Sequence, residues 1–237
     1  MFSKSQQFYD ALYEALGKNY SKEALTAHKT IRKYGQSGGV NLLDIACGTG
    51  NHAEFLAKYY KVEGMDLDAD MVAIARTKYP KIRFFQGNMI DFNLIRRFDA
   101  IVCLFSSIGY VRIKANLRKA LKAMARHLRE GGVLLVEPWF RPEQWDISHP
   151  RSLHADSMDL KITRMSLGGR RGNISTLDFH YLVGTPEGVE YFTEHHELGL
   201  FTHIEYTNAF HNANLEVFYD PKGLDGRGLY IGRKALK

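Results

Sequence analysis

Asp44, Cys47, Gly48, Thr49 and Gly50 crowd into one turn of the stretch "NLLDIACGTGNH", where an apolar run ends and a helical pattern begins. Glycines in such a turn let the backbone approach a ligand and take positive φ. The helix start adds unpaired N–H groups and a partial positive charge, which suit a carboxylate or phosphate. Asp66 ends the next apolar run, "KVEGMDL", and Gln86-Gly87-Asn88-Met89 ends the one after it. If these runs are parallel strands of one sheet, their ends share an edge. Asp66 then accepts both hydroxyls of a ribose. Asn88 hydrogen-bonds an adenine amine, and Met89 packs on the ring. The predicted chemistry is the holding of a charged nucleoside. A dinucleotide fingerprint asks for G-x-G-x-x-G. Ala53 takes its last place, which weakens a dehydrogenase reading without removing it. The lysine and hydroxyl of a P-loop are missing.

The elements that would position these groups follow from periodicity. Residues 8–34 read as helix, interrupted at Gly17 and resuming at Ser21. Strands then alternate with helices: "VNLLDIA", a helix over 52–60, "KVEGMDL", a helix over 69–78 stopped by Pro80, "KIRFFQG", "FDAIVCLF", a helix over 113–129 closed by Gly131-Gly132, and "VLLVEPW". Strand runs apolar throughout imply a mostly parallel sheet covered on both faces. After Pro138 the period drops to two in "KITRMSL", "ISTLDFHYLV" and "GVEYFTEHHEL", which predicts three or four antiparallel strands. Thr202 and Glu205 form a capping box for a helix reaching about Ala213. "LEVFYD" and "GLYIGRK" form a last hairpin that adds an antiparallel edge to the large sheet. The expected fold is α/β: a doubly wound seven-stranded sheet with a small antiparallel sheet appended. The domain bounds are 1–139 plus 201–237 for the large unit and 140–200 for the insertion.

The chain has 237 residues, 24% of them charged, which is ordinary for one globular domain carrying an insertion. The net charge of +6 is dispersed, with only pairs such as Arg96-Arg97 and Arg170-Arg171. That argues against a nucleic-acid footprint and suits an anionic small-molecule substrate. Two cysteines, Cys47 and Cys103, end apolar runs and point to a reducing compartment, so a cytoplasmic location is expected. The N-terminus lacks a signal-peptide core, and no apolar run is long enough to span a membrane. His195, His196, His203 and His211 fall on different elements without ligand spacing, so no metal is expected.

"LLDIACGTGNH", "GMDLDADM", "QGNMIDF" and "REGGVLLVEPW" resemble the class I S-adenosylmethionine-dependent methyltransferases, whose sheet is Rossmann-like. With "YDALYEALGKNY", "FSSIGY", "VEPWF", "DFHY" and "GRGLYIG", the likeness is closer to the TDP-amino-sugar N,N-dimethyltransferases, over nearly the whole chain. The resemblance implies that Ala46, Gly48, Thr49 and Gly50 cradle the amino acid tail of the cofactor. It gives the ribose to Asp66, with Leu67 beside it, and the adenine to Asn88 and Met89. Tyr20 and Phe105 complete that set. Tyr110 stands beside the acceptor amine, to hold its nitrogen or relay a proton, and Tyr13 closes over it from the N-terminal helices. Ser106, Trp139 and Arg227 are implied on the acceptor side, with Arg227 toward a diphosphate, and Lys18 is a weaker candidate of the same kind as Tyr13 and Tyr20, which close over the site. Asn88 replaces an aspartate of many relatives, Thr176 an arginine, and Leu16 another.

Three alternatives stand beside an amino-sugar N-methyltransferase. One is a methyltransferase for another small N or O acceptor. A nucleic-acid methyltransferase would carry a proline pair after the fourth strand, where "FSSIGY" stands instead. A binding module without turnover would be expected to lose the glycine turn or Asp66, and both are present. The appended sheet is available as a wall of the substrate pocket, as a homodimer contact, or as both.

Overall fold

The computed structural model describes residues 4–236. Residues 1–3 and 237, which the expected domain bounds and the reading of the N-terminus include, lie outside the described residues. A 3-10 turn at Ser5–Phe8 leads into helices α1 (Tyr9–Ala15) and α2 (Tyr20–Tyr34). Next come β1 (Asn41–Ile45), α3 (Asn51–Leu56), β2 (Lys61–Asp66), α4 (Ala69–Lys78), β3 (Arg83–Gln86) and β4 (Phe98–Cys103). A second 3-10 turn, Ser107–Val111, precedes α5 (Lys114–Arg126) and β5 (Leu128–Val136). Strands β6 (Arg151–Asp156), β7 (Lys161–Arg171), β8 (Ile174–Thr185) and β9 (Gly188–Gly199) follow. The chain closes with α6 (His203–His211), β10 (Leu215–Asp220) and β11 (Leu229–Lys234).

The large sheet has seven strands in the order β10-β11-β5-β4-β1-β2-β3. The pairs from β5 to β3 are parallel, and β11 is antiparallel to both β5 and β10. Strand order reverses between β1 and β4, and in doubly wound sheets ligands bind at that reversal, outside the carboxyl ends of the strands. Side chains of the central strands alternate between two cores. Leu43, Ile45, Ile101, Cys103, Leu134 and Val136 pack with α5 and α6, whereas Leu42, Ala100, Val102, Val133 and Leu135 pack with α2, α3 and α4. Burial on both faces is why these strands read as unbroken apolar runs.

Strands β6 to β9 form the second sheet, antiparallel throughout. Ile162, Phe179, Tyr181, Val183 and Phe192 on one of its faces pack with Leu12 of α1, with Phe8 against them. The first helix therefore seals the small sheet and does not join the main sandwich.

Three local expectations are corrected. Helix α2 starts at Tyr20 because the Asn19 side chain accepts the Lys22 amide at 2.9 Å, a better cap than Ser21 could provide. Helix α3 stops at Leu56, well short of residue 60. The Gly131-Gly132 pair does not end α5, which closes at His127. It lies inside β5, where the pairing with β4 shifts between Phe98 and Ala100. Gly131 at φ 69° gives the bulge its left-handed residue. The capping box on α6 forms as expected, Thr202 accepting the Glu205 amide and Glu205 the Thr202 amide.

Candidate functional site

The strand ends at the order reversal are tied together by backbone. Cys47 N–H donates to the Met65 carbonyl at 3.1 Å, and Gly87 N–H to the Asp66 carbonyl at 2.8 Å. Ala46, Gly48 and Gly50 all have positive φ, at 57°, 53° and 85°. Gly50 caps α3, and a Cβ there would stand 2.9 Å from the Phe84 ring, so the position has no room for a side chain. Because α3 is short, polar groups of the turn, and not a helix dipole, set its electrostatics.

Asp66 closes the turn from the other side. Its carboxylate accepts the Gly48 amide at 2.8 Å and the Asp68 amide at 2.9 Å, one on each oxygen. Each oxygen keeps capacity for a hydroxyl donor. Burial raises the Asp66 carboxyl, while the Asp68 and Gly48 amides pull it back. Thr49 Oγ1 donates to Asp10 of α1 at 2.6 Å and Asn51 to the same oxygen at 2.8 Å. The Thr49 hydroxyl thus fastens α1 over the turn.

A cavity of about 480 Å³ opens here. It brings together Ala46, Gly48, Asp66, Leu67, Asn88, Met89 and Tyr110 from the expected set, and adds Tyr9, Met71 and Asn116. A hollow of about 20 Å³ shares Tyr9, Ala46, Gly48 and Ser107 with it and adds Tyr20, Thr49 and Phe105. Asp44 lines this hollow, 2% exposed, with Oδ2 lacking a hydrogen-bond partner. Burial, and after it the Asp66 charge, push its carboxyl up to about 8. A buried acid with an idle oxygen favours a cationic partner, whose charge would restore the carboxylate. The orphaned oxygen, the backbone cradle and the paired acceptors of Asp66 together fit an amino-acid nucleoside.

The turn after β4 faces the same space. Phe105 and Ser106 are successive left-handed residues, φ 53° and 59°, a conformation costing about 1–2 kcal/mol for each non-glycine residue. Glu137 holds the turn by accepting the Phe105 amide at 2.5 Å, and Ser106 Oγ donates to the Pro138 carbonyl at 2.6 Å. Lys18 Nζ stands 3.9 Å from the Phe105 ring centroid, with Arg227 at 5.5 Å. The Tyr13 ring meets Phe105 edge-on at 4.8 Å.

Tyr13, Gly50, Ser106, Trp139 and Arg227 line neither space. Arg227 donates to Ser106 Oγ at 3.0 Å, is salt-bridged to Asp225 and lies 3.7 Å from Glu137. Its charge is turned onto acids of its own surroundings. Trp139 donates to Ser175 Oγ at 2.9 Å and lies tilted against Trp145, ring centroids 5.5 Å apart. Of the arginines near Thr176, Arg171 pairs with Glu197 and Arg170 bonds the Gly172 and Pro142 carbonyls.

Sequence reasoning missed Asp44 and Tyr9, which line these spaces, Glu137, which holds the turn beside them, and the buried pair of Glu194 and His196 behind Tyr110. Tyr110 makes a 2.8 Å hydrogen bond to His196 Nδ1, and His196 Nε2 lies 3.4 Å from Glu194. The available signal was the doublet His195-His196 inside a period-two strand. The pleat sends His195 to Asp178 and His196 into the interior.

Residues 42–132 match the family described as a methyltransferase domain. Over 233 residues the chain is 39% identical to the dTDP-3-amino-3,6-dideoxy-alpha-D-glucopyranose N,N-dimethyltransferase of Streptomyces fradiae, covering 98% of this chain and 91% of that protein. The crystal structure of Streptomyces venezuelae DesVI superposes with a TM-score of 0.93 at 36% identity, over 99% of this chain and 100% of that one. An amino pentose methyltransferase from Micromonospora echinaspora, solved with S-adenosylmethionine bound, superposes at 0.87 with 33% identity, over 99% and 98% of the two chains.

Proposed function

The chain belongs to the TDP-amino-sugar N,N-dimethyltransferases, a family of S-adenosylmethionine-dependent methyltransferases, and on that premise we propose that it methylates the amine of a nucleotide-linked amino sugar. The observation that carries the reading is one cavity shared by the ends of β1, β2 and β3 and by the Tyr110 hydroxyl.

In this reading S-adenosylmethionine supplies an electrophilic methyl on a positively charged sulfur. Asp44 takes the ammonium of its tail, the Ala46–Gly50 backbone its carboxylate, and Asp66 its ribose. Asn88 and Met89 frame the adenine, and Leu67 covers it. Tyr20 and Phe105 close the hollow around the tail. Little covalent chemistry is left to the protein, so its contribution is alignment and exclusion of water, and alignment alone can supply about 7–11 kcal/mol of the barrier. The amine must be neutral to attack, and a neighbouring sulfonium disfavours its protonated form. Tyr110, kept neutral by burial, accepts an N–H of the amine and turns its lone pair toward the methyl. Tyr13 covers the acceptor from α1. Residues 140–200 act as the substrate-side unit, a role supported by Tyr181, Glu194 and His196 on the buried face of the small sheet. Arg227 and Trp139 stand behind the acceptor region, and with Arg227 bonded to Asp225 a diphosphate would have to compete for it.

Calorimetry and mass spectrometry test this. S-adenosylhomocysteine should bind, and Asp66→Ala should weaken it by about 1.5–3 kcal/mol, through lost hydrogen bonds to a charged group. Incubation with S-adenosylmethionine and a TDP-linked amino sugar should add two methyl groups to nitrogen. Tight cofactor binding with no transfer to any TDP- or UDP-linked amino sugar would leave a methyltransferase of another acceptor.

A further inference from the structure

We propose that His196 and Glu194, lined up behind the Tyr110 hydroxyl, are positioning residues of a buried line that carries away the proton an amine sheds between successive methyl transfers. The inference rests on the amino-sugar reading above.

The need for such a line is chemical. A primary amine that has accepted a methyl is a secondary ammonium, and it has no lone pair for a second transfer until a proton leaves. That proton has to leave through a group within hydrogen-bond reach of the nitrogen.

The geometry offers one route. Tyr110 lines the large cavity, and its oxygen lies 2.8 Å from His196 Nδ1. On the far side of the imidazole, Nε2 faces Glu194 Oε2 at 3.4 Å. Glu194 accepts Ser5 Oγ at 2.8 Å, the Ser5 amide at 3.1 Å and the Lys4 amide at 3.0 Å, a set of donors that favours the carboxylate form. An acceptor on that side fixes the proton of the neutral ring on Nε2, so Nδ1 is the acceptor that faces the Tyr110 hydroxyl. The ammonium N–H bond breaks as the phenol oxygen takes its proton. The phenol's own proton passes to Nδ1, and the resulting imidazolium is paired with the Glu194 carboxylate. Tyrosine ends as it began, the amine recovers its lone pair, and charge moves from the site to the small sheet.

The groups facing His196 suit this. From β8 comes the Phe179 ring, centroid 4.9 Å away, while Tyr181 of the same strand acts on Tyr110. Arg164 of β7 contributes a positive charge, and Tyr13 of α1 faces Tyr110. Burial lowers His196 in spite of Glu194, with Arg164 adding to the effect, so the ring stands neutral between transfers. Glu194 in turn is anchored by the Ser5 hydroxyl and by the Lys4 and Ser5 amides, beside the exposed Lys4 side chain.

His196→Gln removes the proton acceptor, and Glu194→Gln removes its counter-charge while keeping the shape. In both, S-adenosylhomocysteine should bind within about twofold of wild type, since neither residue touches it. At pH 7 the rate of the second methylation should fall by about 100-fold in His196→Gln, with monomethyl product accumulating, the scale of one lost proton transfer. At about pH 9.5, where more of the amine is already neutral, most of that loss should vanish. Glu194→Gln should show the same pattern more weakly, and it carries the test if His196→Gln does not fold. A loss of equal size at both pH values without monomethyl product, or wild-type profiles in both variants, overturns the line. Wild-type protein that binds S-adenosylhomocysteine but methylates no amino-sugar nucleotide overturns the reading beneath it, and that result is visible before any variant is made.

Discussion

Asp44→Asn lowers the affinity for S-adenosylhomocysteine at pH 8 by about 10- to 150-fold, equivalent to ~1.5–3 kcal/mol for a hydrogen bond to a charged group. The expectation follows from a buried carboxyl with an idle oxygen on the hollow beside the glycine turn. Its larger signature is in the pH dependence. The free protein holds Asp44 protonated up to about pH 8, and a bound ammonium requires the carboxylate. Below that pH binding must expel a proton, so wild-type affinity rises as pH climbs from 6 toward 8, with a limiting slope of about tenfold per unit. Above about pH 8 the ligand's own amino group loses its charge and affinity declines again. The other titratable groups around the hollow do not produce the rising limb. Burial raises the Tyr9, Tyr20 and Cys47 groups further from that range, and lowers His52. Asp66 is the remaining neighbour, so Asp66→Ala serves as control: it should weaken binding and keep the limb. Calorimetry across that range, in buffers of differing ionisation enthalpy, reads both affinity and proton release. A retained limb in Asp44→Asn would mean the ammonium lies elsewhere.

The contrast between Asp44 and Asp66 shows what kind of feature the sequence exposes. Asp66, Asn88 and the glycine turn were legible because each sits where an apolar strand run stops, and parallel topology carries strand ends to one edge without any further information. The two-core alternation of β1, β4 and β5 is likewise local, set by the pleat. Asp44 has the same address but draws its character from burial and from the Asp66 charge, which only the packed structure supplies. His196 and Glu137 are further from view. The partner of His196 is Tyr110, on the turn after β4, and Glu137 meets Phe105 across the same sheet edge. Neither pairing has a periodicity to betray it. Arg227 is the opposite case: a motif resemblance aims it at a diphosphate, yet Asp225, two positions away, already holds its guanidinium. The N-terminal segment adds a similar lesson. Its helices pack on different partners: Leu12 of α1 against the small sheet, Tyr13 edge-on to Phe105, and Tyr20 edge-on to His52.

At pH 5, Glu137→Ala is expected to cost about 3 kcal/mol or more of folding stability, whereas Glu137→Gln should be close to neutral there and at least as stable as wild type at pH 7. Glu137 is fully buried at the end of β5, and its Oε2 receives the amide of Phe105, the first of two left-handed residues. Alanine leaves that N–H buried without an acceptor, about 1–3 kcal/mol, and opens a cavity whose cost adds to it. Glutamine keeps an oxygen acceptor of the same reach. It also matches the charge state, because burial pushes the Glu137 carboxyl up to about 8 against the pull of Arg227. Asp225 carries the charge instead: although burial opposes it, its hydrogen bonds to Arg227 hold its carboxyl well below the usual range. The sign of the pH effect follows. A carboxyl raised in the folded state holds a proton there that the unfolded chain has released above about pH 4.5. Its contribution to stability is therefore full below that pH and lost progressively as pH rises to about 8. Glutamine cannot titrate, so the Gln variant should gain on wild type in chemical denaturation as pH is raised from 5 to 8. Wild type gaining on it over that range would place the charge on Glu137. The functional consequence separates the variants again. The Phe105–Ser106 turn borders the hollow beside the glycine turn, and its hydrogen bonds help to hold two residues in a conformation they disfavour. Loss of the Glu137 acceptor should relax that turn, so Glu137→Ala should slow methyl transfer well beyond its effect on S-adenosylhomocysteine binding, and Glu137→Gln should keep both.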